Sequence, residues 1–258
     1  MPMLAFISDI HSNIEALTSV LADIDARGIR RVVCLGDVIG YGPNPRQCLD
    51  LVQQRCSDVI LGNHDYATLY EPTRFNYGAE EAVFWTRAAL ENEPDPAAVE
   101  RRWGFLGELD IRRVLNGSDV NERKILLVHG SPRRPVNEYL FPDDVFNTPV
   151  KITGAFDRFE QVCFVGHTHL PGVFTAAPEF ISPEDADGVY RLTKDKALIN
   201  VGSVGQPRDR DPRACYVILE EDLVRFVRVE YDVKTTMDKI RAIPDLDEYL
   251  AIRLEDGR

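Results

Sequence analysis

The chain has 258 residues, of which 44% are hydrophobic and 28% charged, enough to bury a sizeable core and too apolar for a disordered protein. Its longest wholly apolar stretches, such as residues 125–128, are far shorter than the ~18 residues that a membrane-spanning helix requires. The formal net charge of −12 excludes a protein that coats nucleic acids non-specifically, because the average field repels polyanions. The amino terminus carries no basic region followed by a cleavage site, so we expect a cytoplasmic protein with no membrane partner.

Short apolar runs alternate with amphipathic stretches through the first two thirds of the chain, a pattern typical of an α/β protein. Strands are predicted at residues 3–8, 31–35, 58–61, 124–128 and 161–165. Helices are predicted from residue 14 to about residue 28 and near residues 46–55, 79–90 and 97–109. From about residue 172 onward, runs at 172–175, 189–192, 197–201, 214–219 and 223–229 predict a more antiparallel sheet. We expect this later part to form much of a second sheet.

The five cysteines are scattered along the chain without a CxxC pair, at positions 34, 48, 56, 163 and 215. Cys34 and Cys163 lie in apolar runs that are typical of buried strands. Free cysteine behaves as a small hydrophobic residue in such places. The pattern therefore predicts five reduced thiols and no disulfide framework.

All five histidines fall where a predicted strand ends, at positions 11, 64, 129, 167 and 169. Open α/β sheets bind their ligands at the carboxyl ends of the strands. The 1,3 spacing of Asp9 with His11, and of His167 with His169, lets both side chains of a pair project to one side of an extended segment. A single such histidine is more often structural, but five of them together predict a metal site.

Seven nitrogen and oxygen donors follow these strands: Asp9, His11, Asp37, Asn63, His129, His167 and His169. They suffice for two divalent metal ions if one carboxylate bridges them. Because the set contains no thiolate, it favours Mn, Fe, Zn or Ni over a structural cysteine-type zinc site. Two ions roughly 3.5–4 Å apart clamp a phosphoryl group and lower the pKa of a bridging water. The set therefore predicts hydrolysis of a phosphate ester.

The motifs D-x-H, G-D, G-N-H-[DE], H and G-H-x-H occur in this order between about residues 4 and 205, and here the chain resembles the calcineurin-like metallophosphoesterases. The resemblance implies a four-layer αββα sandwich of two mixed β-sheets flanked by helices. It further implies a single domain over residues 1–258, for which we expect a core at 4–231 and a helical extension at 232–258. The substrate would be a phosphorylated small molecule or a nucleotide.

The resemblance also assigns a role to each site residue. One metal would be held by Asp9, His11, Asp37 and His169, and the other by Asp37, Asn63, His129 and His167, with Asp37 as the bridge. His64 matches the family's catalytic histidine, which would protonate the leaving oxygen, and Asp65 would orient it. Neighbouring side chains of an extended segment point in opposite directions, so we expect His64 to face the substrate.

Departures from the motifs of other subclasses favour the small prokaryotic phosphodiesterase type. The arginine that protein phosphatases carry soon after the second motif is absent from the segment beginning at Asp37. A phosphomonoesterase or protein-phosphatase-like activity, or a non-catalytic binding scaffold on the same fold, remains the alternative.

Three residues are candidates for substrate binding. Tyr41 and Asn44 follow the second motif in a Gly- and Pro-rich loop, and Arg208 brings positive charge to the loop after residue 200. Two interpretations of the charged loop are open. Its arginines either contact a substrate phosphate or pair with Asp209 and Asp211 in a solvated turn.

Overall fold

Twelve strands form two six-stranded sheets in the computed structural model, which describes residues 3–117, 120 and 123–258. The strands are β1 Met3–Ile7, β2 Arg31–Cys34, β3 Asp58–Val59, β4 Arg112–Leu115, β5 Ile125–Val128, β6 Val162–Val165, β7 Gly172–Thr175, β8 Phe180–Ile181, β9 Val189–Arg191, β10 Ala197–Asn200, β11 Ala214–Glu220 and β12 Leu223–Val229. The first sheet has the order β3-β2-β1-β11-β12-β9, and the second has the order β4-β5-β6-β10-β7-β8.

Both sheets mix parallel and antiparallel pairs, as expected for the predicted sandwich. In the first sheet β1, β2 and β3 are parallel, and β11 adds to β1 in antiparallel register with Phe6 opposite Val217. In the second sheet β5, β6 and β10 are parallel, and β4 and β7 flank them in antiparallel orientation. The carboxyl ends of β1, β2, β5 and β6 therefore lie on one side of the sandwich.

The later strands supply half of the second sheet, in line with the expectation, but they also supply half of the first sheet, which was not expected. They divide between the two sheets, since β9, β11 and β12 join the first and β7, β8 and β10 join the second. The reason is that β1 has an open edge beside it. The segment Ala214–Glu220 is apolar on both faces and nearly fully buried, which suits a central strand beside β1 rather than an edge.

Nine helices occur in the described residues. They are α1 Ile14–Ala26, α2 Pro45–Arg55, α3 Asn63–Leu69, α4 Tyr77–Glu91, α5 Pro96–Gly107, α6 Asp144–Asn147, α7 Pro149–Phe156, α8 Val233–Arg241 and α9 Tyr249–Asp256. The apolar stripe of α1, including Leu17, Val20 and Ile24, packs on the outer face of the first sheet. None of the described helices is long and apolar enough to cross a membrane. All five cysteines are free thiols, as predicted.

Some elements differ from their prediction for local reasons. The strand predicted at 58–61 ends at Val59, and Asn63 opens a helix instead of lying in an extended segment. Strand β4 was missed because its sequence, RRVL, is charged and mostly exposed, which gives an edge strand little hydrophobic pattern. Helices α6 and α7 were missed because they are short, with four and eight residues.

The two sheets face each other across a core that centres on two phenylalanines. Phe6 of β1 and Phe164 of β6 are fully buried, and their rings stack with centroids 3.9 Å apart at an interplanar angle of 4°. Both residues precede the ends of their strands by one position. The stack therefore fixes the distance between the two strand ends that carry the site.

We expect the substitution Phe164→Ala to lower the free energy of unfolding by about 3–5 kcal/mol, because it removes a buried ring and leaves a cavity between the sheets. Chemical denaturation monitored by circular dichroism measures the change. The matched control is Phe146→Ala, which truncates a side chain that is 82% exposed and should change stability by less than about 0.5 kcal/mol. Equal effects of the two substitutions would contradict this description of the core.

Candidate metal centre

Every residue of the predicted ligand set follows the carboxyl end of a strand. Asp9 and His11 follow β1, Asp37 follows β2, Asn63 and His64 follow β3, His129 follows β5, and His167 and His169 follow β6. All of these side chains are buried. The potential ligand atoms of the aspartates and histidines form three overlapping groups, in each of which all atoms lie within 4.8 Å of one another, and His64 joins the one that contains His11 and Asp37. Asn63 Oδ1 lies 3.0 Å from His129 Nε2. The structure therefore brings the whole predicted set together at one edge of the sandwich.

Left-handed turns, rather than extended segments, aim these side chains. The backbone φ is +53° at Asp9, +47° at His11, +52° at Asp37, +67° at His167 and +61° at His169. This region costs a residue with a Cβ of the order of 1 kcal/mol or more. The expectation that the 1,3 pairs lie on one side of an extended segment was therefore wrong. The strands end earlier, and strained turns direct both members of each pair inward.

Two motif glycines leave room for the carboxylates. A Cβ on Gly62 would lie 2.1 Å from Asp37 Oδ1, and one on Gly166 would lie 2.4 Å from Asp9 Oδ2. These distances are far below van der Waals contact, so only glycine allows each carboxylate to lie against the neighbouring loop. The glycines of the G-N-H and G-H-x-H motifs thus have a direct steric role in the site.

The first group of donors consists of Asp9, His11 and His169. Asp9 Oδ1 lies 3.1 Å from Nε2 of His169 and 3.8 Å from Nε2 of His11, and the two Nε2 atoms are 3.2 Å apart. The other carboxylate oxygen of Asp9 accepts a hydrogen bond from the backbone N–H of His167 at 3.0 Å. This bond orients the carboxylate so that Oδ1 faces the imidazoles.

Asp37 lies between the two groups of donors. Its Oδ2 is 3.6 Å from Nε2 of His11, which belongs to the first group, and 3.3 Å from Nε2 of His129, which belongs to the second. Its Oδ1 accepts a hydrogen bond from the backbone N–H of His64 at 2.8 Å. One oxygen of Asp37 therefore faces both groups, while the other anchors the first turn of α3.

The second group consists of Asn63, His129 and His167 around the same Asp37 oxygen. Asn63 Oδ1 lies 3.0 Å from Nε2 of His129. The ring of His167 packs against that of His129 with centroids 4.9 Å apart. Asn63, as the first residue of α3, projects from the helix into the centre.

Backbone carbonyl groups orient three of the four imidazoles from behind. Nδ1 of His129 contacts the carbonyl oxygen of Leu35 at 2.8 Å, and Nδ1 of His169 contacts that of Gln206 at 2.5 Å. Nδ1 of His11 is 3.3 Å from the carbonyl oxygen of Ile39. A carbonyl oxygen only accepts, so each Nδ1 carries the proton, and the Nε2 lone pair faces the centre as a metal ligand requires.

Unsatisfied buried atoms indicate that this donor set fits divalent cations. Asp9 Oδ1 and Nε2 of His167 are buried without a hydrogen-bond partner, although such atoms normally have one. With the proton on each Nδ1, the facing Nε2 atoms of His11 and His169 are both acceptors. A cation at the first group would satisfy Asp9 Oδ1 and the Nε2 atoms of His11 and His169, and one at the second group would satisfy Nε2 of His167. Imidazole with carboxylate is a set that Mn, Fe, Zn or Ni accepts.

The electrostatics of the site keep its carboxylates ionised. Burial opposes the charged form of Asp37, but the attraction of His129 and His64 outweighs it, so the pKa of this carboxyl lies well below its usual range. Asp9 behaves in the same way, since His169 and His129 outweigh burial and lower its pKa. Two buried anions among four imidazoles thus leave net negative charge at the site, which favours the binding of divalent cations.

The histidines divide into two kinds by their pKa. Burial lowers the pKa of His11, His167 and His169, to about 3 in the case of His167, so these rings are neutral. Burial would also lower the pKa of His129, but the negative charge of Asp37 outweighs burial and raises this pKa to about 9. A metal at the second group must therefore displace a proton from His129.

His64 lies at the centre of a ring of aromatic contacts beside the metal groups. Its ring centroid is 4.2 Å from that of Tyr41, 4.9 Å from that of His11 and 4.8 Å from that of Phe75. Its Nδ1 is buried without a hydrogen-bond partner. Burial, aided by the charge of Arg208, lowers the pKa of His64 to about 4.

Asp65 contacts the backbone rather than the ring of its neighbour. Its carboxylate accepts hydrogen bonds from the N–H of Gly62 at 3.0 Å and from the N–H of Ile39 at 3.2 Å. Burial and the charge of Asp37 raise the pKa of this carboxyl to about 7. Asp65 thus joins the loop after β2 to the first turn of α3, which carries His64.

A cavity of about 590 Å³ opens onto His64 and the second donor group. Its lining is mixed aromatic and polar, and comprises Tyr41, Asn63, His64, Thr73, Arg74, Phe75, Asn76, Ala79, Arg134, Asn137, Tyr139 and His167. The ring of Tyr139 stacks on that of His167 with centroids 3.8 Å apart. Phe75 and Tyr139 were not predicted, because they lie in loops whose position depends on tertiary packing.

The three predicted substrate-binding residues lie in different places. Tyr41 lines the cavity, and the guanidinium carbon of Arg208 lies 5.9 Å from the centroid of its ring. Asn44 is directed elsewhere, since its Oδ1 accepts a hydrogen bond from Lys239 Nζ at 3.2 Å. Of the two interpretations of the charged loop, Arg213 follows the second, since it pairs with Asp211. Arg208 donates to the side-chain oxygen of Gln206 instead, and its contact with a substrate phosphate stays a prediction.

Comparison with known proteins identifies the class to which this fold and site belong. A model of the calcineurin-like phosphoesterase superfamily domain matches residues 3–222. The chain therefore belongs to the calcineurin-like phosphoesterases, as the motifs predicted. This membership and the His/Asp groups indicate a phosphoester hydrolase that binds divalent metal and acts on a phosphorylated substrate.

Two relatives and one protein of the same fold match along the whole chain. An uncharacterized protein of Methanocaldococcus jannaschii is 39% identical over 265 residues, covering 99% of this chain and 98% of its own. The crystal structure of a metallophosphoesterase from Sphaerobacter thermophilus is 33% identical, with a TM-score of 0.81 and coverage of 100% and 99%. The fold also matches a hypothetical protein from Pyrococcus horikoshii OT3, at 20% identity, a TM-score of 0.77 and coverage of 100% and 99%.

Proposed function

We propose that this protein is a phosphodiesterase that depends on two divalent metal ions. One observation carries the proposal: a single oxygen of Asp37 lies within 3.6 Å of His11 Nε2 and within 3.3 Å of His129 Nε2. A carboxylate oxygen in this position can serve two donor groups at once. A single ion would leave the donor atoms of one group unused. Asp9, His11, Asp37 and His169 would hold the first ion, and Asp37, Asn63, His129 and His167 the second.

The metals, when bound, supply Lewis-acid activation of the phosphoryl group and a water of lowered pKa. The chain's own residues do the rest. His64, which lines the cavity next to the donor groups, is placed to hydrogen-bond the leaving oxygen and to transfer a proton to it. Asp65 is a positioning residue that fixes the loop and helix turn beside His64. The guanidinium of Arg208 offers paired donors to a phosphate oxygen.

Two features favour a diester over a monoester. A diester carries an organic group on each side of its phosphate, and the cavity of about 590 Å³ beside His64 is large enough for a bulky second group. Phe75 and Tyr139 add aromatic surface to a lining that is mostly polar, which suits an organic substituent that carries polar groups of its own. A monoester would fill only the part next to the metals.

The proposal is tested by an activity screen of the metal-loaded protein. Bis(p-nitrophenyl) phosphate, p-nitrophenyl phosphate, a dinucleotide and a phosphopeptide are compared after reconstitution with each of Mn, Fe, Zn and Ni. We expect hydrolysis of the diesters with a higher kcat/KM than that of the monoester, and loss of activity on chelation with recovery on metal addition. A higher kcat/KM for the monoester or the phosphopeptide would contradict the assignment as a phosphodiesterase. Hydrolysis of none of them would favour a binding scaffold.

A further inference from the structure

The loop after β10 is a buried polar segment beside the metal centre to which the proposed mechanism gives no role. Strand β10 runs parallel to β6, and its last residue, Asn200, lies opposite Val165 at the carboxyl end of β6. Residues 200–206 are all buried, and only 1% of Asn200 is exposed. A polar side chain at this depth needs hydrogen-bond partners inside the protein. The partners of Asn200 therefore show which part of the fold it serves.

The side-chain amide of Asn200 holds the turn that carries His167. Its Nδ2 group donates to the carbonyl oxygen of Gly166 at 2.7 Å and to the hydroxyl oxygen of Thr168 at 2.8 Å. Its Oδ1 accepts a hydrogen bond from the backbone N–H of Gly202 at 2.9 Å. Both protons and the oxygen of the amide are thus in use. Because the two acceptors are the chain neighbours of His167, one amide group spans this residue.

The turn that Asn200 spans has an unfavourable backbone conformation. The φ of His167 is +67°, a region that a residue with a Cβ rarely adopts. The N–H of Thr168 donates to the carbonyl oxygen of Gly166 at 2.8 Å, which closes the turn tightly around His167. Such a conformation persists only where the surrounding contacts over-determine it. The amide of Asn200 supplies two of these contacts.

Both donor groups of the metal centre depend on this turn. The ring of His167 belongs to the second group. The backbone N–H of His167 donates to Asp9 Oδ2 at 3.0 Å and thereby orients the carboxylate of the first group. A turn that relaxed toward an ordinary φ would move the ring and the N–H together. The bonds of Asn200 itself end on the turn and on Gly202, not on a donor atom.

The rest of the loop supports the first donor group in a similar way. The hydroxyl of Ser203 donates to the carbonyl oxygen of Asp9 at 2.8 Å and accepts a hydrogen bond from the N–H of Gln206 at 2.8 Å. The carbonyl oxygen of Gln206 contacts Nδ1 of His169. The segment from Asn200 to Gln206 therefore bonds, from behind, the backbone or ring of donor residues in both groups.

We propose that Asn200 is a positioning residue for the metal centre and acts through the turn at residues 166–168. The proposal rests on the donor groups of the proposed function and adds to them a residue that binds neither metal nor substrate. Without the two amide donors the turn samples other conformations. The Nε2 atom of His167 and the carboxylate of Asp9 then face the metals for a smaller fraction of the time, so the metals bind more weakly although every ligand residue is present.

Metal affinity tests this role without any hydrolysis. Asn200→Ala should raise the Kd for Mn²⁺, measured by calorimetry on the folded full chain, by about 10- to 100-fold, the usual loss when a group that orients a metal ligand is removed. Thr168→Val removes only the hydroxyl acceptor and keeps the size of the side chain, so it should raise the Kd by a smaller factor. Thr168→Ser keeps the hydroxyl and should bind like the wild type. The two variants of Thr168 decide the question if Asn200→Ala does not fold.

Arg102→Gln is the matched control for the loss of buried hydrogen bonds. The side chain of Arg102 is 7% exposed and joins separate segments, since it donates to Asp50 of α2 at 2.6 Å and to Glu93 at 2.9 Å. This substitution should lower the melting temperature and leave the Kd for Mn²⁺ unchanged. An equal rise of the Kd in Arg102→Gln and in Asn200→Ala would mean that general stability sets the affinity, and would overturn the positioning role.

Hydrogen exchange of the metal-free protein tests the turn itself. The N–H of His167 should lose protection in Asn200→Ala while the N–H groups of α5 keep theirs. Lost protection together with a raised Kd supports the proposal. Unchanged protection, or a Kd that stays at the wild-type value in both Asn200→Ala and Thr168→Val, would overturn it. Failure of the wild type to bind Mn²⁺ or another divalent ion would count against the proposed function, and the exchange of the His167 N–H would still decide whether Asn200 holds the turn.

Discussion

Replacing Asp37 with alanine is expected to lower the bound metal to at most one ion per chain and to reduce kcat by about 10³-fold or more. The carboxylate oxygen that faces both donor groups is lost, together with a negative charge. If the Lewis-acid contribution of the pair is about 4 kcal/mol, its loss corresponds to this factor. Elemental analysis of the purified protein and steady-state kinetics on bis(p-nitrophenyl) phosphate measure the two effects.

The variant Asp37→Asn is the matched comparison. It removes the charge but keeps an oxygen that can accept the backbone N–H of His64, now bonded at 2.8 Å. We expect Asp37→Asn to lose metal like Asp37→Ala while it melts at a higher temperature, since the first turn of α3 keeps its anchor. Two ions per chain in Asp37→Ala at full activity would exclude a bridge at this residue.

Replacing His64 with alanine is expected to lower kcat by ~10²–10⁴-fold on an ester with a poor leaving group, the usual contribution of general acid–base catalysis. The metal content should stay at the wild-type value, because the donor groups are complete without this ring. The loss should shrink for a p-nitrophenyl ester, whose leaving group needs little protonation. Comparing kcat for a methyl and a p-nitrophenyl ester of the same nucleotide measures the difference.

The pH profile gives an independent test of His64. Its pKa of about 4 in the free protein makes the ring neutral at pH 7, so the negative charge of a bound phosphate must raise this pKa before the ring can donate a proton. In the wild type kcat should therefore fall as pH rises through the pKa of the complex, and the variant should lack this limb. Full activity of His64→Ala on the methyl ester, or loss of a metal ion, would remove His64 from its proposed role.

The donor residues of the metal centre could be predicted from sequence because each of them belongs to a short motif that directly follows a strand. Asp9, Asp37 and His129 each follow a buried, strongly apolar strand, and parallel strands of one sandwich bring their carboxyl ends to the same edge. The backbone that aims them was less predictable. The pattern suggested extended segments around Asp9 and His167, whereas left-handed turns carry both, since a hydrophobic pattern does not encode φ.

The surroundings of the metals depend on packing between distant segments, which sequence patterns do not report. Asn44 lies three residues after Tyr41 in the same loop, yet its side chain bonds Lys239 of α8 and is directed away from the cavity. Tyr139 reaches His167 only because its loop folds back across the strand ends. The division of the later strands between the sheets likewise follows from the open edge beside β1, which is a property of the assembled fold.

The left-handed turns predict how the sequence would change in a descendant that no longer needs to bind metal. At Asp9, His11, Asp37, His167 and His169 the fold retains a Cβ where glycine would be more stable. A descendant released from catalysis would gain stability from every glycine it accepted at these five positions, and would lose its metals as it did so. A relative whose sequence has no glycine at any of the five aligned positions is therefore expected to have kept its metal chemistry.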